Sequence, residues 1–339
     1  MGVLFKLFFT LTAIMLFMNG CTQKVLIKAL NPAEVGEMAS KKKIAIVDFK
    51  NDSYGLSGKI ESKIASHKLD EKRYFTVLSR KDLKRVIQEQ KLQSSDLMDE
   101  QSITRVGRFS GAQAIISGEV ASAGVTHASY LRERQRCSEY DKKNKCIRYQ
   151  TYNVVCKTIQ AEMSANINIV DVETASIIYG DSITREYHAD TCRFDTLLGE
   201  HQILNMLSNA IARGFVYKLT PHYIYFEVGL LDEIELDDVS DAQEDVFEAS
   251  LEYIKPGRMD KAKRMLEKLF SELDEKSYVV AYVLGVVNEA QGSFDRAKVL
   301  YTISDDLSKE PVDEINRAIL RIDNLIAKRD EARRQMNAK

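Results

Sequence analysis

The sequence lacks the patterns on which most enzyme assignments rest. Its five histidines are scattered along the chain, and it contains neither a GxSxG nor an HExxH motif. Its glycines form no loop of the kind that cradles phosphate. Asp48, Asn51 and Asp52 cluster beyond the first predicted strand, but acids and amides in such a loop are usually turn residues. We therefore predict a protein that is not an enzyme and that needs no cofactor.

Strong charge of one sign is also missing, as are long apolar runs after the first 20 residues. The chain has 48 lysines and arginines against 50 aspartates and glutamates, for a net charge of -2. Such a balance gives no general attraction to nucleic acid. Past Cys21 no apolar run approaches the roughly 20 residues that a membrane helix needs. The composition predicts neither a nucleic-acid partner nor a membrane-spanning helix.

An apolar run is present at the N-terminus, at residues 7–18, after the positive charge of Lys6. About a dozen apolar residues suit the core of a signal peptide and are too few to span a bilayer. The run ends in Met18-Asn19-Gly20-Cys21, which resembles a bacterial lipobox because a small residue precedes the cysteine. We predict that residues 1–20 are a lipoprotein signal peptide and that Cys21 carries the lipid, palmitate included. The alternative is an ordinary signal peptide followed by an incidental cysteine.

Residue 22 predicts the membrane in which such a lipid would be retained. Bacteria commonly keep lipoproteins in the inner membrane through an aspartate directly after the cysteine, and this chain has Thr22 there. Several acyl chains on one residue hold a protein firmly to a membrane. We predict a protein anchored through Cys21 to the outer membrane and facing the periplasm, with residues 21–42 as a polar tether.

Four cysteines remain besides Cys21: Cys137, Cys146, Cys156 and Cys192. An even number in an oxidising periplasm predicts two disulfides, with three possible pairings. We favour Cys137 with Cys146 across a short charged hairpin, and Cys156 with Cys192 between neighbouring segments. The alternative is a metal site, since His188 lies four residues before Cys192. Because there is no CxxC pair, we predict no metal.

Strands and helices alternate over residues 43–230. The apolar run at residues 44–49 predicts a strand buried on both faces, and further strands are predicted at residues 74–78 and 114–120. From residue 159 to 169 apolar and polar residues alternate, which indicates an antiparallel strand with one solvated face. Helices are predicted after a cap at Ser57, around Leu83, around Ile103 and over residues 197–217. This order predicts an α/β fold with a mixed sheet layered with helices.

The C-terminal part of the sequence predicts an all-α domain. Residues 231–245 are rich in acids and lack lysine and arginine, which indicates a solvated linker, although an acidic binding patch is the alternative. In residues 246–339, Gly257, Asp260 and Ala262 recur 35 residues later as Gly292, Asp295 and Ala297. Helix pairs of this period resemble tetratricopeptide repeats. We predict that a further helix caps the pairs and that residues 328–339 form a frayed tail.

Five segments of the predicted α/β domain share a family resemblance. They read KIAIVDF at 43–49, FTVLSR at 75–80, VIQEQ at 86–90, SGAQAIISGEV at 110–120 and IVDVET at 169–174. Their order and spacing resemble the curli-assembly CsgG family. The resemblance implies an outer-membrane lipoprotein with a periplasmic α/β domain that oligomerises, as the name-giving member does in the ring through which it secretes amyloid subunits.

An insert at residues 125–158 corresponds to one of the two membrane-inserted hairpins of that family member. Between Leu131 and Arg148 it holds seven basic residues and three acids. A lipid-facing arginine near mid-membrane costs about 2–4 kcal/mol, so we predict that the insert stays out of the bilayer. Tyrosines interleaved with its charges suit a contact surface, and a solvated loop is the equal alternative. The predicted partner-binding residues are Arg132, Arg134, Arg136, Tyr140, Lys142, Lys143, Arg148 and Tyr149.

The leading hypothesis is a non-enzymatic, periplasm-facing outer-membrane lipoprotein that forms homo-oligomers. It would serve as an assembly or scaffold component of a secretion or surface-appendage system. Its C-terminal helical repeats would dock an envelope protein, because repeat stacks present extended binding surfaces. The alternatives are a lipoprotein activator of a peptidoglycan synthase and an export channel of the CsgG type, against which the basic insert argues.

Overall fold

The computed structural model describes residues 23–89, 100–192 and 197–338, and these fall into two units. A helical unit comprises the residues up to Pro32 together with His222–Arg334. An α/β unit comprises Ala33–Pro221 and the residues from Gln335. The predicted signal peptide and Cys21 lie outside the described residues. Within the described ranges, no helix is both long enough and apolar enough to cross a membrane.

The elements are numbered in chain order. The strands are β1 Lys24–Asn31, β2 Lys43–Ile46, β3 Lys68–Leu69, β4 Lys72–Arg73, β5 Thr76–Val77, β6 Ala114–Tyr140, β7 Cys146–Asp171, β8 Ile177–Thr191 and β9 His222–Gly229. The helices are α1 Leu56–Ser66, α2 Arg80–Glu89, α3 Glu100–Ser110, α4 Glu200–Leu219, α5 Asp241–Ile254, α6 Met259–Glu272, α7 Tyr278–Ala290, α8 Phe294–Leu307 and α9 Asp313–Asn337. The mixed α/β fold followed by C-terminal helices is confirmed.

The α/β unit is built on a five-stranded sheet in the order β5-β2-β6-β7-β8. β2 pairs in parallel with β5 and β6, whereas β6, β7 and β8 pair antiparallel. Ile44 and Ile46 pack with α1 and α4 on one face, while Ala45 and Val47 pack with α2 and α3 on the other. Apolar cover on both faces is the reason that this strand is an unbroken apolar run in the sequence.

β7 shows the predicted alternation between a buried and a solvated face. Ile159, Ala161 and Met163 belong to the core under α4, whereas Gln160 and Glu162 are exposed. Both β6 and β7 continue far beyond the predicted strands, to Tyr140 and from Cys146. The insert is therefore an antiparallel hairpin along its length, with register shifts only near its tip, between Cys137 and Tyr140. The sequence of this outer part of β6 and β7 shows no alternation of apolar and polar residues, because neither of its faces is buried.

The N-terminal end of α1 is capped differently from the prediction. Gly55, with φ of 65°, precedes the helix, and the Asp52 carboxylate accepts hydrogen bonds from the backbone N–H groups of Leu56 and Ser57. The Ser57 hydroxyl itself donates to Asp52 over 2.8 Å. Asp52 satisfies the free N–H groups of the first turn, so the prediction of Ser57 as the cap was wrong.

The predicted tether at residues 21–42 is wrong over its described part. β1 pairs antiparallel with β9, and Val25, Ile27 and Ala29 are buried in the core of the helical unit. In the α/β unit, residues 36–40 form a 3-10 helix in which Met38 is buried. The strand partner lies about 200 residues away in the sequence, which is why local composition suggested a tether instead.

The acidic segment at residues 231–245 is not a solvated linker. Leu231, Ile234, Leu236 and Val239 pack against the core of the helical unit. The Glu235 carboxylate accepts hydrogen bonds from the Ser277 hydroxyl over 2.8 Å and from the first backbone N–H groups of α7. An acid at a helix N-terminus is favourable because the helix dipole is positive there. The predicted boundary at residue 230 therefore moves to Pro221/His222.

The predicted frayed tail is also wrong, because α9 continues to Asn337. Ala332 and Gln335 are buried. In the α/β unit, the Gln335 amide accepts from the Ala33 N–H over 2.7 Å and donates to the Ala33 carbonyl over 3.1 Å. This pair of bonds imitates a strand pairing and explains why a charged C-terminal sequence stays ordered.

The helices of the helical unit form the two predicted pairs, α5–α6 and α7–α8. Gly257 and Gly292 occupy the turn of each pair with φ of 83° and 75°, a region that glycine adopts without strain. α7 is enclosed, because residues 279–289 are all buried. Three elements pack on α7, namely α6, α8 and β1. In addition, the Tyr282 hydroxyl donates to the Gly229 carbonyl over 2.8 Å.

One ionic network lies in the core of the helical unit. Glu289 is fully buried and accepts two hydrogen bonds of 2.9 Å from the Arg321 guanidinium, which fixes α9 against α7. The Tyr301 hydroxyl of α8 donates to the same carboxylate. Burial and the neighbouring Glu289 carboxylate raise the pKa of Tyr301 well above its usual value, so the phenol stays a donor. Three helices thus meet at one carboxylate.

We expect Glu289→Ala to destabilise the helical unit by about 2–4 kcal/mol, because removing one partner of a buried pair leaves the other charge uncompensated. The estimate is below that for a fully buried pair since Arg321 keeps some contact with water. Urea unfolding followed by circular dichroism measures the change. The matched control is Glu272→Ala, which removes the exposed 3.1 Å pair with Lys268 and should cost less than about 1 kcal/mol. Equal effects of the two variants would contradict the role given to Glu289.

Candidate functional site

The outer part of the β6–β7 hairpin, residues 130–156, projects as a two-stranded ribbon, here called the basic ribbon. β8 pairs with β7 only as far as Lys157 opposite Thr191, so the basic ribbon lies beyond the third strand. Its register runs from Tyr130 opposite Cys156 to Tyr140 opposite Cys146. The structure describes all 27 of these residues, and among them Cys156 alone is buried. The basic ribbon is therefore surface on both faces.

Two disulfides hold the basic ribbon. Cys137 and Cys146 are bonded near its tip, with 5.8 Å between their Cα atoms, and Cys156 is bonded at its base to Cys192, just past β8, with 4.0 Å. An isolated two-stranded ribbon is marginally stable in water, so cross-links replace the core that it lacks. The structure thus contains the two pairings that the sequence favours. Because Cys192 is bonded to Cys156, it does not act with His188 as a metal ligand.

We expect the double variant Cys156→Ser/Cys192→Ser to open the base of the basic ribbon. Losing a disulfide that closes a loop of 36 residues costs about 2–4 kcal/mol. Cleavage of a transiently opened segment follows its population, so tryptic cleavage within residues 130–156 should accelerate about tenfold or more.

The control is Cys137→Ser/Cys146→Ser, whose loop of 9 residues is shorter and whose loss should have a smaller effect. Mass spectrometry of the fragments, without reductant, measures both rates. Equal cleavage of the wild type and the Cys156→Ser/Cys192→Ser variant would refute the stabilising role of the base disulfide.

Three arginines line one face of the basic ribbon. Arg132, Arg134 and Arg136 alternate along β6 and therefore project to the same side, opposite Val154, Tyr152 and Gln150 of β7. The Arg136 guanidinium carbon lies 5.4 Å from the centroid of the Tyr152 ring, in cation–π contact. These side chains present an arginine row with aromatic support.

The base of this row is held by one carboxylate of β8. The Tyr130 hydroxyl donates to Asp190 over 2.7 Å, and the Arg132 guanidinium lies 3.4 Å from the same carboxylate. The hydrogen bond to Asp190 raises the pKa of the Tyr130 hydroxyl. Asp190 therefore fixes the direction of Arg132 and leaves the charge excess further out, towards Arg134 and Arg136.

The tip of the basic ribbon presents Tyr140, Lys142 and Lys143. The Asp141 carboxylate accepts from the backbone N–H groups of Lys143 and Lys145, each over 2.8 Å, and shapes the turn. Such a turn is what aspartate commonly forms with the N–H two residues on. Tyr140 is 59% exposed. The two lysines extend the positive charge of the basic ribbon to its end.

The remaining two predicted residues lie on β7 and do not share one environment. Arg148 lies 3.5 Å from Glu139, and Tyr149 is 64% exposed opposite Cys137. Since neighbouring residues of a strand point to opposite faces, Tyr149 lies on the face away from Arg148. The eight predicted residues thus share the basic ribbon but form a row of three arginines, a tip of three residues, an arginine paired with Glu139 and a separate tyrosine.

A second charged surface was not predicted as a site. Glu162 of β7 and Glu186 of β8 are direct cross-strand partners, and both are exposed. Like charges directly opposite each other destabilise a sheet, which favours a cation between or above them. Further along the same face, Glu119 accepts a hydrogen bond of 3.0 Å from the Asn166 amide. We call Glu119, Glu162 and Glu186 the acidic face.

The acidic face and the arginine row lie on the same side of one sheet. Glu162 pairs with Gly124 on β6, eight residues before Arg132, so about 25 Å of strand separates the two surfaces. A cavity of about 740 Å³ borders the acidic face, and its lining includes Gln160, Glu162 and Glu186. In the sequence, the alternation of apolar and polar residues in β7 placed Glu162 on a solvated face. It did not indicate that Glu186 lies opposite Glu162.

Comparisons with known proteins bear on the α/β unit. A family model for the curli production assembly/transport component CsgG matches residues 27–206, which is 180 of the 339 residues. A search of curated proteins found no match.

Solved structures give weaker matches. The C-terminal domain of LpoB from Salmonella enterica is 14% identical, with 52% of this chain and 93% of that chain covered and a TM-score of 0.25. The lipoprotein GNA1162 from Neisseria meningitidis is 14% identical, with 51% and 97% covered and a TM-score of 0.30. A PelC dodecamer from Paraburkholderia phytofirmans is 10% identical, with 58% and 97% covered and a TM-score of 0.26. The family match alone spans more than half of the chain, and on it the protein belongs to the CsgG family.

Proposed function

We propose that the protein is a lipid-anchored assembly component of the bacterial cell envelope. Lipid on Cys21 would hold it at the periplasmic face of the outer membrane, where it forms homo-oligomers as a scaffold for secretion or a surface appendage. The CsgG family is described as an assembly and transport component, which supports this class of role. We propose no catalytic role.

The observation that carries the proposal is opposite charge on two surfaces of one unit. The basic ribbon has a net positive charge, and the acidic face carries three carboxylates, of which Glu162 and Glu186 lie directly opposite each other. The sheet keeps the two surfaces about 25 Å apart. A contact between them therefore joins the basic ribbon of one copy to the acidic face of the next. Such a head-to-tail contact produces a closed ring where the rotation between copies closes.

The helical repeats would serve a different partner. We propose that they bind an envelope protein through the outer sides of α6, α8 and α9. α7 is buried among its neighbours and offers no groove. Val299 of α8 and Leu320 of α9 are 47% and 81% exposed. These side chains give the outer surface some apolar area for a docking helix or strand.

Lipidated protein extracted in detergent should be a discrete oligomer by size exclusion with light scattering. We expect Arg132→Glu/Arg134→Glu/Arg136→Glu to shift it to monomer, because three attractions become repulsions at the contact. Adding Glu162→Lys/Glu186→Lys to that variant should restore the oligomer by exchanging the charges. High salt should weaken the wild-type oligomer, since exposed ion pairs are screened.

The matched control is Arg264→Glu/Lys268→Glu/Lys276→Glu, which makes the same change in net charge on exposed residues of the helical unit. It should leave the oligomer intact. A monomeric wild type would overturn the oligomer and favour the alternative of a monomeric activator of a peptidoglycan synthase. An oligomer that survives the arginine reversals would refute the basic ribbon as its contact.

The lipid anchor has a separate test. We expect Cys21→Ala to move the full-length protein from the membrane fraction to the soluble fraction of the envelope, because the acyl chains have no acceptor thiol. Intact-mass analysis of the wild type should show a mature chain that begins at Cys21 with acyl groups attached. An unmodified cysteine in membrane-bound wild type would show that another feature attaches the protein.

A further inference from the structure

The outer side of the β1–β9 pair is a solvent-exposed surface with a mixed composition. Residues of β1 alternate, so that Val25, Ile27 and Ala29 are buried while Lys24, Leu26 and Lys28 face outwards. On β9, Glu227 lies opposite Leu26 and Tyr225 lies opposite Lys28. Leu26 is 61% exposed and Tyr225 is 60% exposed. We call Lys24, Leu26, Lys28, Tyr225 and Glu227 the β1–β9 face.

Local contacts of this face leave one positive charge in excess. Lys24 lies 3.2 Å from Glu227, and both side chains are more than half exposed. The Lys28 ammonium lies over the ring of Tyr223, 3.7 Å from its centroid. The face thus combines an exposed leucine, tyrosine rings and two lysines. Aromatic rings and lysines of this kind are enriched where proteins meet lipid headgroups.

The position of the face relative to Cys21 is what selects its occupant. Gln23 is fixed to the helical unit, since its amide donates to the Leu251 carbonyl over 3.0 Å and its own carbonyl accepts from the Leu230 N–H over 2.8 Å. Thr22 alone separates Gln23 from Cys21. Two residue steps of extended chain span at most about 7 Å. Acyl chains on Cys21 would therefore enter a bilayer next to the start of β1.

We propose that the β1–β9 face lies against the lipid surface, with Leu26 at the boundary between the headgroups and the acyl chains and Lys24 and Lys28 near anionic phosphates. The proposal rests on the lipid on Cys21 from the proposed function. A connection of two residue steps is too short for another protein to fit between the bilayer and β1. Lysines near an anionic surface are attracted to it, which favours this orientation over one with the face in water.

The absence of tryptophan from the chain makes the test direct. Leu26→Trp places a single tryptophan on the β1–β9 face, and Tyr225→Trp gives a second, independent probe. Leu320→Trp is the matched control, because Leu320 is 81% exposed in the same unit. Each lipidated variant is reconstituted on vesicles of phosphatidylethanolamine, phosphatidylglycerol and dibrominated phosphatidylcholine and recovered by flotation. Brominated chains quench only tryptophans that touch them.

In the floated protein, the tryptophan emission of the Leu26→Trp variant should shift to shorter wavelength and lose intensity relative to vesicles without bromine, while the Leu320→Trp protein should do neither. Floated protein with unquenched probes at positions 26 and 225 would overturn the apposition and leave the anchor standing. Equal quenching of the control would overturn the assignment to this face. Protein that fails to float would overturn the anchor, and the apposition with it.

Discussion

The pairing of β6 with β7 is the interaction on which both the α/β core and the candidate site depend. The paired region extends from Ala114 opposite Asp171 to Tyr140 opposite Cys146. At its inner end, α4 and α3 cover the two faces and supply the apolar burial that stabilises the pair. At its outer end nothing covers it, so the same hydrogen-bond ladder continues as the basic ribbon. The core therefore supports the basic ribbon because the same two strands continue from one into the other. The two disulfides add stability that the basic ribbon does not gain from side-chain packing.

One irregularity in that pairing decides which charges share a face. Between Val120 and Ser122 the register shifts, with Val120 opposite Ala165 and Ser122 opposite Ser164. Before this bulge the even-numbered residues of β6 point to the α4 core, and after it they point away. Without the extra residue, Arg132, Arg134 and Arg136 would project on the α4 side, because a slip by one residue reverses every side chain. The bulge therefore places the arginine row on the side of the sheet that carries Glu162 and Glu186.

Strands could be predicted from the sequence where burial of one or both faces produces a recognisable pattern of apolar residues. The run at residues 44–49 and the alternation at 159–169 are strong because a core faces them, and the structure confirms both strands. β1 was missed since its partner β9 is distant in the sequence and lysines at positions 24 and 28 interrupt its apolar residues. The length of β6 was missed for a different reason. Its outer part is exposed on both faces, so apolar and polar residues do not alternate there. The cysteine pairs were predictable because four thiols allow only three sets of pairings, and Cys137 and Cys146 are close in the sequence. The facing of the like-charged Glu162 and Glu186 could not be predicted, because it depends on the register of β7 and β8.

The replacement of a tether by a strand changes what a lipid anchor can do. A flexible chain of 20 residues would span about 25 Å on average and let the protein turn freely above the membrane. Gln23 and β1 instead belong to the helical unit, so the proposed lipid on Cys21 would be attached to a folded body through about two residues. Free rotation above the membrane would then be largely lost before any contact between copies formed. Because association must otherwise meet the cost of that lost freedom, copies anchored in this way would need weaker contacts to assemble. Under that restriction, exposed ion pairs, which are individually weak, would be adequate as the proposed contact between neighbouring copies.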